Sequence, residues 1–303
     1  GMYLACILRS LYEYDKFVRR LISGLAGRDI RKALEIFLEF CQSGHISESE
    51  IFKIRALGGN YTLPFGIVSS VLLRMNRRFY DGDYSHIKNL FQCSPEDIKP
   101  DNFLRLVILR WLNEKFKTKG PSGVNGYHPH YLLMQELIRM GHDEMPIRRE
   151  VLYLLKTSCI IAEHQRLDHL DDEDLICISP SGSVHLTMPL NVEYLAACSE
   201  DIWYSDRSIA ERIAERIGAS GMQRHYSKGT ILANSREFLD YLHLCRKNEI
   251  ASPSLILSDP LGEDLTSLAE SDSAYQAARK LQTVMGTTRI YLGGLSSSTD
   301  KAG

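Results

Sequence analysis

The chain has 303 residues, 44% of them hydrophobic and 24% charged, with a formal net charge of −2. That is the balance of a globular protein with chain enough for two or three modest domains. No apolar run approaches the roughly 18–20 residues of a membrane span, so no membrane partner is expected; the small net charge leaves a nucleic-acid partner open, because a local patch decides that.

The opening MYLACILRSLY is apolar, but Arg9 interrupts it and no small-residue cleavage site follows, which predicts no secretory signal. Gly1 before Met2 reads as a tag remnant. Leu4, Ile7, Leu8, Leu11, Phe17, Val18, Leu21 and Ile22 recur at helical spacing and predict one helix over 3–23, broken by Gly24 and Gly27. A second helix is expected over 29–42, with Gly44 as its C-cap glycine, and a third over about 48–56 after Ser47. Residues 58–60 mark a joint. A helix over about 64–76 then gives way to an irregular connector, in which Ile87 and Leu90 are expected to pack on a neighbour.

From residue 101 the pattern sharpens. Helices are predicted over about 101–116, 129–140 and 145–157, the first two separated by the loop KGPSGVNG. The period then changes: CIIAEHQ and LICISP are β-rich, and SGSVHLTMP is expected as a third short strand after a Pro-Ser-Gly turn. Beyond 200 the chain returns to helix, with Ile209, Ile213 and Ile217 in one stripe and Phe238, Leu239, Leu242 and Cys245 in another. A third, Ala-rich helical pattern follows over Leu261 to Val284, and the closing SSSTDKAG is expected to be disordered. The expected fold class is mainly α: a helical lid-like bundle (1–60), a connector (61–100), a winged helix-turn-helix domain with a small β-wing (101–200) and a helical C-terminal tail (201–303).

Three helices followed by a hairpin, closing on ICISPSGSVHL, resemble the winged-helix superfamily over about 101–190. DNA-reading members lay the third helix in the major groove, which here offers Arg148, Arg149, Tyr153 and Lys156, with Arg166 on the wing. Over 128–190, however, five basic residues face ten acidic ones, and Asp171, Asp172, Glu173 and Asp174 sit together in the hairpin. Phosphate contacts supply most non-specific DNA affinity, so this charge argues for a structural or protein-contact role. The acidic run lacks the alternating pattern of a calcium loop, and His128-Pro129-His130 has no third ligand at metal spacing, so no metal is expected.

Gly27-Arg28-Asp29-Ile30-Arg31-Lys32-Ala33-Leu34 resembles the sensor-2 segment of AAA+ and STAND nucleotide switches. The resemblance implies that Arg31, or alternatively Arg28, faces nucleotide phosphates, a task suited to an always-charged, forked guanidinium. A helical lid followed by a winged helix is also the order seen in origin-recognition initiators and bacterial STAND regulators. No G-x-x-x-x-G-K-[ST] occurs, and about 26 residues before the sensor-like helix are too few for a nucleotide-binding core. The NTPase would therefore be encoded upstream or supplied in trans. G-x-S-x-G, H-E-x-x-H and a Gly-rich dinucleotide turn are also missing.

The expectation is thus a non-enzymatic regulatory and partner-docking module, without cofactor, whose partner is a P-loop NTPase domain or effector protein. The alternative is a winged-helix transcription regulator on double-stranded DNA. Seven scattered cysteines with no CxxC pair predict reduced thiols and a cytoplasmic location.

Overall fold

A computed structural model describes residues 2–11, 16–59, 61–97, 100–121, 123–164, 169–221 and 226–250. The described chain is mainly helical, with one small antiparallel sheet. Its first five helices are α1 (Met2–Arg9), α2 (Lys16–Ala26), α3 (Ile30–Gln42), α4 (Glu48–Ala56) and α5 (Phe65–Arg74). Of the helix expected over 3–23, α1 passes into a wider helical turn at Ser10–Leu11 and α2 begins at Lys16; residues 12–15 lie outside the described residues.

Gly24 does not break α2 but lies within it, where a β-carbon would collide with the Val184 side chain. Gly27, at φ +60, ends the helix. Helix α3 begins where Asp29 accepts the N–H groups of Arg31 (2.8 Å) and Lys32 (3.3 Å), satisfying donors that the first turn leaves open. It stops on an extended Ser43, and Gly44 takes no positive φ.

The described residues between α5 and residue 104 form no named helix or strand, yet many of their polar groups are tied down. Arg74 meets buried Glu200 at 2.5 Å, and the same carboxylate accepts the Tyr80 N–H at 3.0 Å. Asp201 accepts the Gly82 N–H at 2.9 Å, and the Tyr194 hydroxyl bridges the Leu90 N–H and the Lys88 carbonyl. Ile87 and Leu90 are fully buried, as the sequence suggests. These contacts convert an irregular segment into a belt fixed to the core, because its buried backbone groups all require partners.

The next block runs α6 (Leu104–Lys115), β1 (His128–Pro129), α7 (His130–Arg139), α8 (Glu144–Lys156), β2 (Ile160–Ala162) and β3 (Leu175–Ile178). The sheet order is β1-β3-β2, both pairs antiparallel, with Ile161 opposite Cys177 and His128 opposite Ile176. The hairpin expected after residue 158 is present. The third strand is not where the sequence puts it. Residues Pro180–His185 form a short helix, α9, because the Ser179 hydroxyl accepts the Gly182 N–H at 2.9 Å and Pro180 fits the first helical turn. The third strand is β1 instead, two residues long.

A 3₁₀ turn (Met188–Leu190) leads into α10 (Val192–Cys198), then α11 (Arg207–Ala219) and α12 (Lys228–Ile250). Ile209, Ile213 and Ile217 are the buried stripe of α11, and Phe238, Leu239 and Leu242 are buried on α12. One continuous apolar core joins these elements to the N-terminal helices, with α2 packed on α9 and α5 on α10. The pattern expected over 261–284, the closing segment and Arg166 lie outside the described residues.

Candidate macromolecular contact surface

Helix α8 buries Ile147, Val151, Leu154 and Leu155 against α6 and α7 and turns Arg148, Arg149 and Lys156 outward. Glu144 occupies its first turn and Lys156 its last, each complementing the helix dipole. The helix ends on Ser158 at φ +60, a left-handed position usually taken by glycine.

Both outward arginines are already engaged. The Arg149 Nη1 and Nη2 atoms fork onto the two carboxylate oxygens of Asp97 at 2.6 and 2.7 Å, and its Nε donates to Glu150 at 2.8 Å. This paired geometry, led by Asp97, holds the Arg149 pKa above its ordinary value. Arg148 donates to Glu144 and to Asp172, both at 2.9 Å. The Asp172 carboxyl is correspondingly held below the usual carboxylate range, chiefly by that hydrogen bond.

Beneath the arginines lies a buried pair. Arg105 of α6 meets Glu150 at 2.5 Å, and their side chains are only 7% and 5% exposed. Arg105 also donates to the Asn89 carbonyl (2.8 Å) and to Gln92 (3.1 Å), so the connector is bound into the same network. Its guanidinium lies 3.6 Å over the centroid of the Tyr153 ring, whose hydroxyl reaches Asp83 at 3.4 Å. Burial pushes the Tyr153 phenol above its ordinary pKa. Tyr153 is therefore a packing residue between α6, α8 and the connector. Of the described residues assigned to this contact by sequence, Arg148, Arg149 and Tyr153 are committed to the chain's own acids and rings, and Lys156 is exposed at the end of α8.

The acidic hairpin run is not simply a solvated tip. Asp174 is buried and its carboxylate accepts the Asp171 N–H at 2.8 Å. The Asp174 and Asp172 carbonyls accept the His130 and Tyr131 N–H groups at 2.9 and 2.8 Å, satisfying the open donors at the start of α7. His130 is buried with Nδ1 3.9 Å from Asp172, and burial first, then Arg148, lowers its pKa. His128 Nε2 lies instead 3.1 Å from the Thr118 hydroxyl and 3.2 Å from the Lys115 carbonyl. The two imidazoles thus differ: the His128 ring is hydrogen-bonded, whereas the buried His130 ring nitrogens have no hydrogen-bond partner among the described residues. Among the described residues no group of three or more His, Cys, Asp and Glu is placed to hold a metal, and no helix is long and apolar enough to cross a membrane.

Arg28 and Arg31 stand apart from the α8 network. Both are exposed at the start of α3, Arg28 at φ +72, and neither guanidinium makes an ion pair among the described residues. Lys32 is near enough to the connector to act on His86, whose pKa falls to about 4 through burial first and then the Lys32 and Lys88 charges.

Two other features bear on chemistry. His185 lies against Cys159 inside the core, both almost fully buried; its Nδ1 meets the Ser181 carbonyl at 2.7 Å and its Nε2 accepts the Lys88 N–H at 2.8 Å. Both ring nitrogens are occupied and neither side chain meets solvent, so this neighbour pair holds the connector to α9. A cleft of about 590 Å³ opens over the outer face of the sheet, walled by Val124, Tyr127, Ile161, Leu175 and Glu163.

The sequence could not reveal Asp97, Asp83, Arg105 and Glu150 as members of one site. Asp97 is separated from Arg149 by 52 positions and Glu150 from Arg105 by 45. The one local signal is the Glu144–Arg148 spacing of four on a helix. No protein-family model, no curated protein and no solved structure matches the chain.

Proposed function

We propose that the chain is the regulatory, partner-docking part of an AAA+/STAND-type nucleotide switch, and that residues 104–178 form a winged helix used for protein contact. The carrying observation is the state of α8: of the cations that would meet a DNA backbone, Arg149 is forked onto Asp97 and Arg148 donates to Asp172 and Glu144 of the same chain. Binding DNA through them would require breaking those bonds and bringing Asp172 toward phosphate, opposing the electrostatic term that drives such binding. The order helix, strand, helix, helix, hairpin, with β1 at the far edge of the sheet, is what the winged-helix reading needs.

In this reading Arg31, with Arg28 beside it, faces the phosphates of a nucleotide held by a P-loop NTPase, in the same polypeptide or in a separate one. The winged helix and its belt supply a rigid surface for that domain or an effector. All seven cysteines are free thiols, which fits work in the reducing cytoplasm. The chain contributes no catalytic group of its own.

The test is affinity for a P-loop NTPase from the same cell, measured with ADP and with a non-hydrolysable ATP analogue. The reading predicts at least about a five-fold difference between nucleotides, which is about 1 kcal/mol of coupling, abolished by Arg28→Ala with Arg31→Ala. Equal affinity in both nucleotide states, or indifference to the arginines, contradicts it.

A further inference from the structure

Helix α3 buries Ile36 and Phe40 and leaves a second apolar stripe uncovered: Ile30, Leu34 and Leu38 are 78%, 61% and 51% exposed. Positions i, i+4 and i+8 form one ridge along a helix, the shape that interdigitates with a like ridge on a second helix. Scattered single apolar residues need no explanation, but three in one ridge make a patch of the kind that marks a contact site. Helix α1, which packs on α3, adds exposed Leu4 and Leu8.

The row beside this ridge carries charge at the same spacing. Arg31, Glu35 and Glu39 fall at i, i+4 and i+8, one position after Ile30, Leu34 and Leu38, and Arg28 lies one turn before them. Arg28, Arg31 and Glu35 are exposed and Glu39 is half-buried, and none of the four makes an ion pair among the described residues. Asp29 is spent on the cap, accepting the Arg31 and Lys32 N–H groups, and Lys32 sits on the side of the connector, where its charge acts on His86. The flank of the ridge is therefore basic at its start and acidic along its length.

Such a helix complements itself when reversed. A two-fold axis at Leu34 sets Leu34 against Leu34 and Ile30 against Leu38 of a second copy, so the ridge meets its own image. The same axis brings like flanks together. Arg31 then comes level with residue 37 of the second copy, between that copy's Glu35 and Glu39, and Arg28 comes to its Glu39 end. Each Glu35 near the axis has the other copy's Arg31 beside it. The antiparallel arrangement also opposes the two helix dipoles favourably. A parallel pairing would set Arg31 against Arg31, and flanking charges of this kind choose the orientation of paired helices.

We propose that two copies of this chain associate through α3, packed antiparallel across a two-fold axis at Leu34, with Arg28 and Arg31 of each copy paired to Glu39 and Glu35 of the other. The second copy covers the apolar ridge and engages both exposed guanidinium groups, so a dimer does not present them to another ligand. The inference stands on α3 alone, independently of the switch reading and of how α8 is used.

The test is sedimentation velocity of the full chain at rising concentration. One helix pair gives an interface at the small end of specific contacts, so a monomer–dimer equilibrium is expected with a dissociation constant of about 10⁻⁵ M. Leu34→Asp weakens it at least about ten-fold by placing two like charges on the axis. Arg28→Glu with Arg31→Glu, and separately Glu35→Lys with Glu39→Lys, each weaken it at least about ten-fold, and mixing the two variants restores dimers with one chain of each, counted by native mass spectrometry. Leu34 and three of the four charged positions are exposed, so the helical circular dichroism is expected to be unchanged. A native chain that stays monomeric to about ten times that concentration, with its ridge covered from within or serving a different protein, would overturn the proposal. So would association indifferent to Leu34→Asp, or charge variants that do not recombine.

Discussion

Replacing Glu150 by Ala removes the carboxylate that compensates Arg105 at the seam between α6 and α8. Arg105 has a side chain only 7% exposed, so its charge cannot recover the lost interaction from water. Breaking a buried pair by deleting one partner costs about 3–5 kcal/mol. The Asn89 carbonyl at 2.8 Å and Gln92 at 3.1 Å still accept from Arg105, which places the expected loss near the lower end, about 3 kcal/mol. Arg149 retains its two-point contact with Asp97 and adds little to the loss.

For a folded body of this size each kcal/mol moves the melting temperature by about 2–4 °C, so a drop of about 6–12 °C is expected. Differential scanning fluorimetry and urea midpoints measure it. The double replacement Arg105→Met with Glu150→Leu removes both charges and is expected within about 1 kcal/mol of the native chain, because no uncompensated ion remains. A shift under about 2 °C in Glu150→Ala, or a double variant as damaged as the single one, would mean that Arg105 is hydrated and the seam open. The reasoning would then fail.

Gly24→Ala is expected to cost about 1–3 kcal/mol by overpacking α2 against Val184, and Val184→Ala in the same chain should recover part of it in urea unfolding. The His86 imidazole has a folded pKa of about 4 against 6.5 for the free side chain, so its folded form resists protonation beside Lys32 and Lys88. Its contribution is present in full above pH 6.5 and is lost as pH falls toward 4, amounting to about 3 kcal/mol at most. His86→Phe should flatten that part of the stability-against-pH curve; an unchanged acid limb would contradict the assignment.

Much of the helical framework could be read directly where side chains set the boundaries. Asp29 and Ser47 announce α3 and α4, and the apolar spacing of Ile147, Val151, Leu154 and Leu155 announces α8. Signals with two meanings misled. Ser179-Pro180 followed by Gly182 suits a turn before a strand, but a Ser hydroxyl and a proline at the first helical position also start a helix, and here they do. Strand β1 has two residues and no period to detect. Arg148 and Arg149 were recognisable as the outward cations of α8; their fate was not, because Asp97 comes from the irregular belt and Asp172 from the hairpin, and only the folded core brings them together.

The occupancy of α8 by the chain's own acids is tested most directly by titrating a fluorescent DNA duplex with the native chain and with Asp97→Asn plus Asp172→Asn, across a range of salt concentrations. The native chain is expected to bind more weakly than about 10⁻⁵ M at physiological salt, no tighter than ordinary non-specific contact, and the double variant more tightly with a steeper salt slope as Arg148 and Arg149 are released. Tight, salt-steep binding by the native chain, lost in Arg148→Ala with Arg149→Ala, would contradict the account.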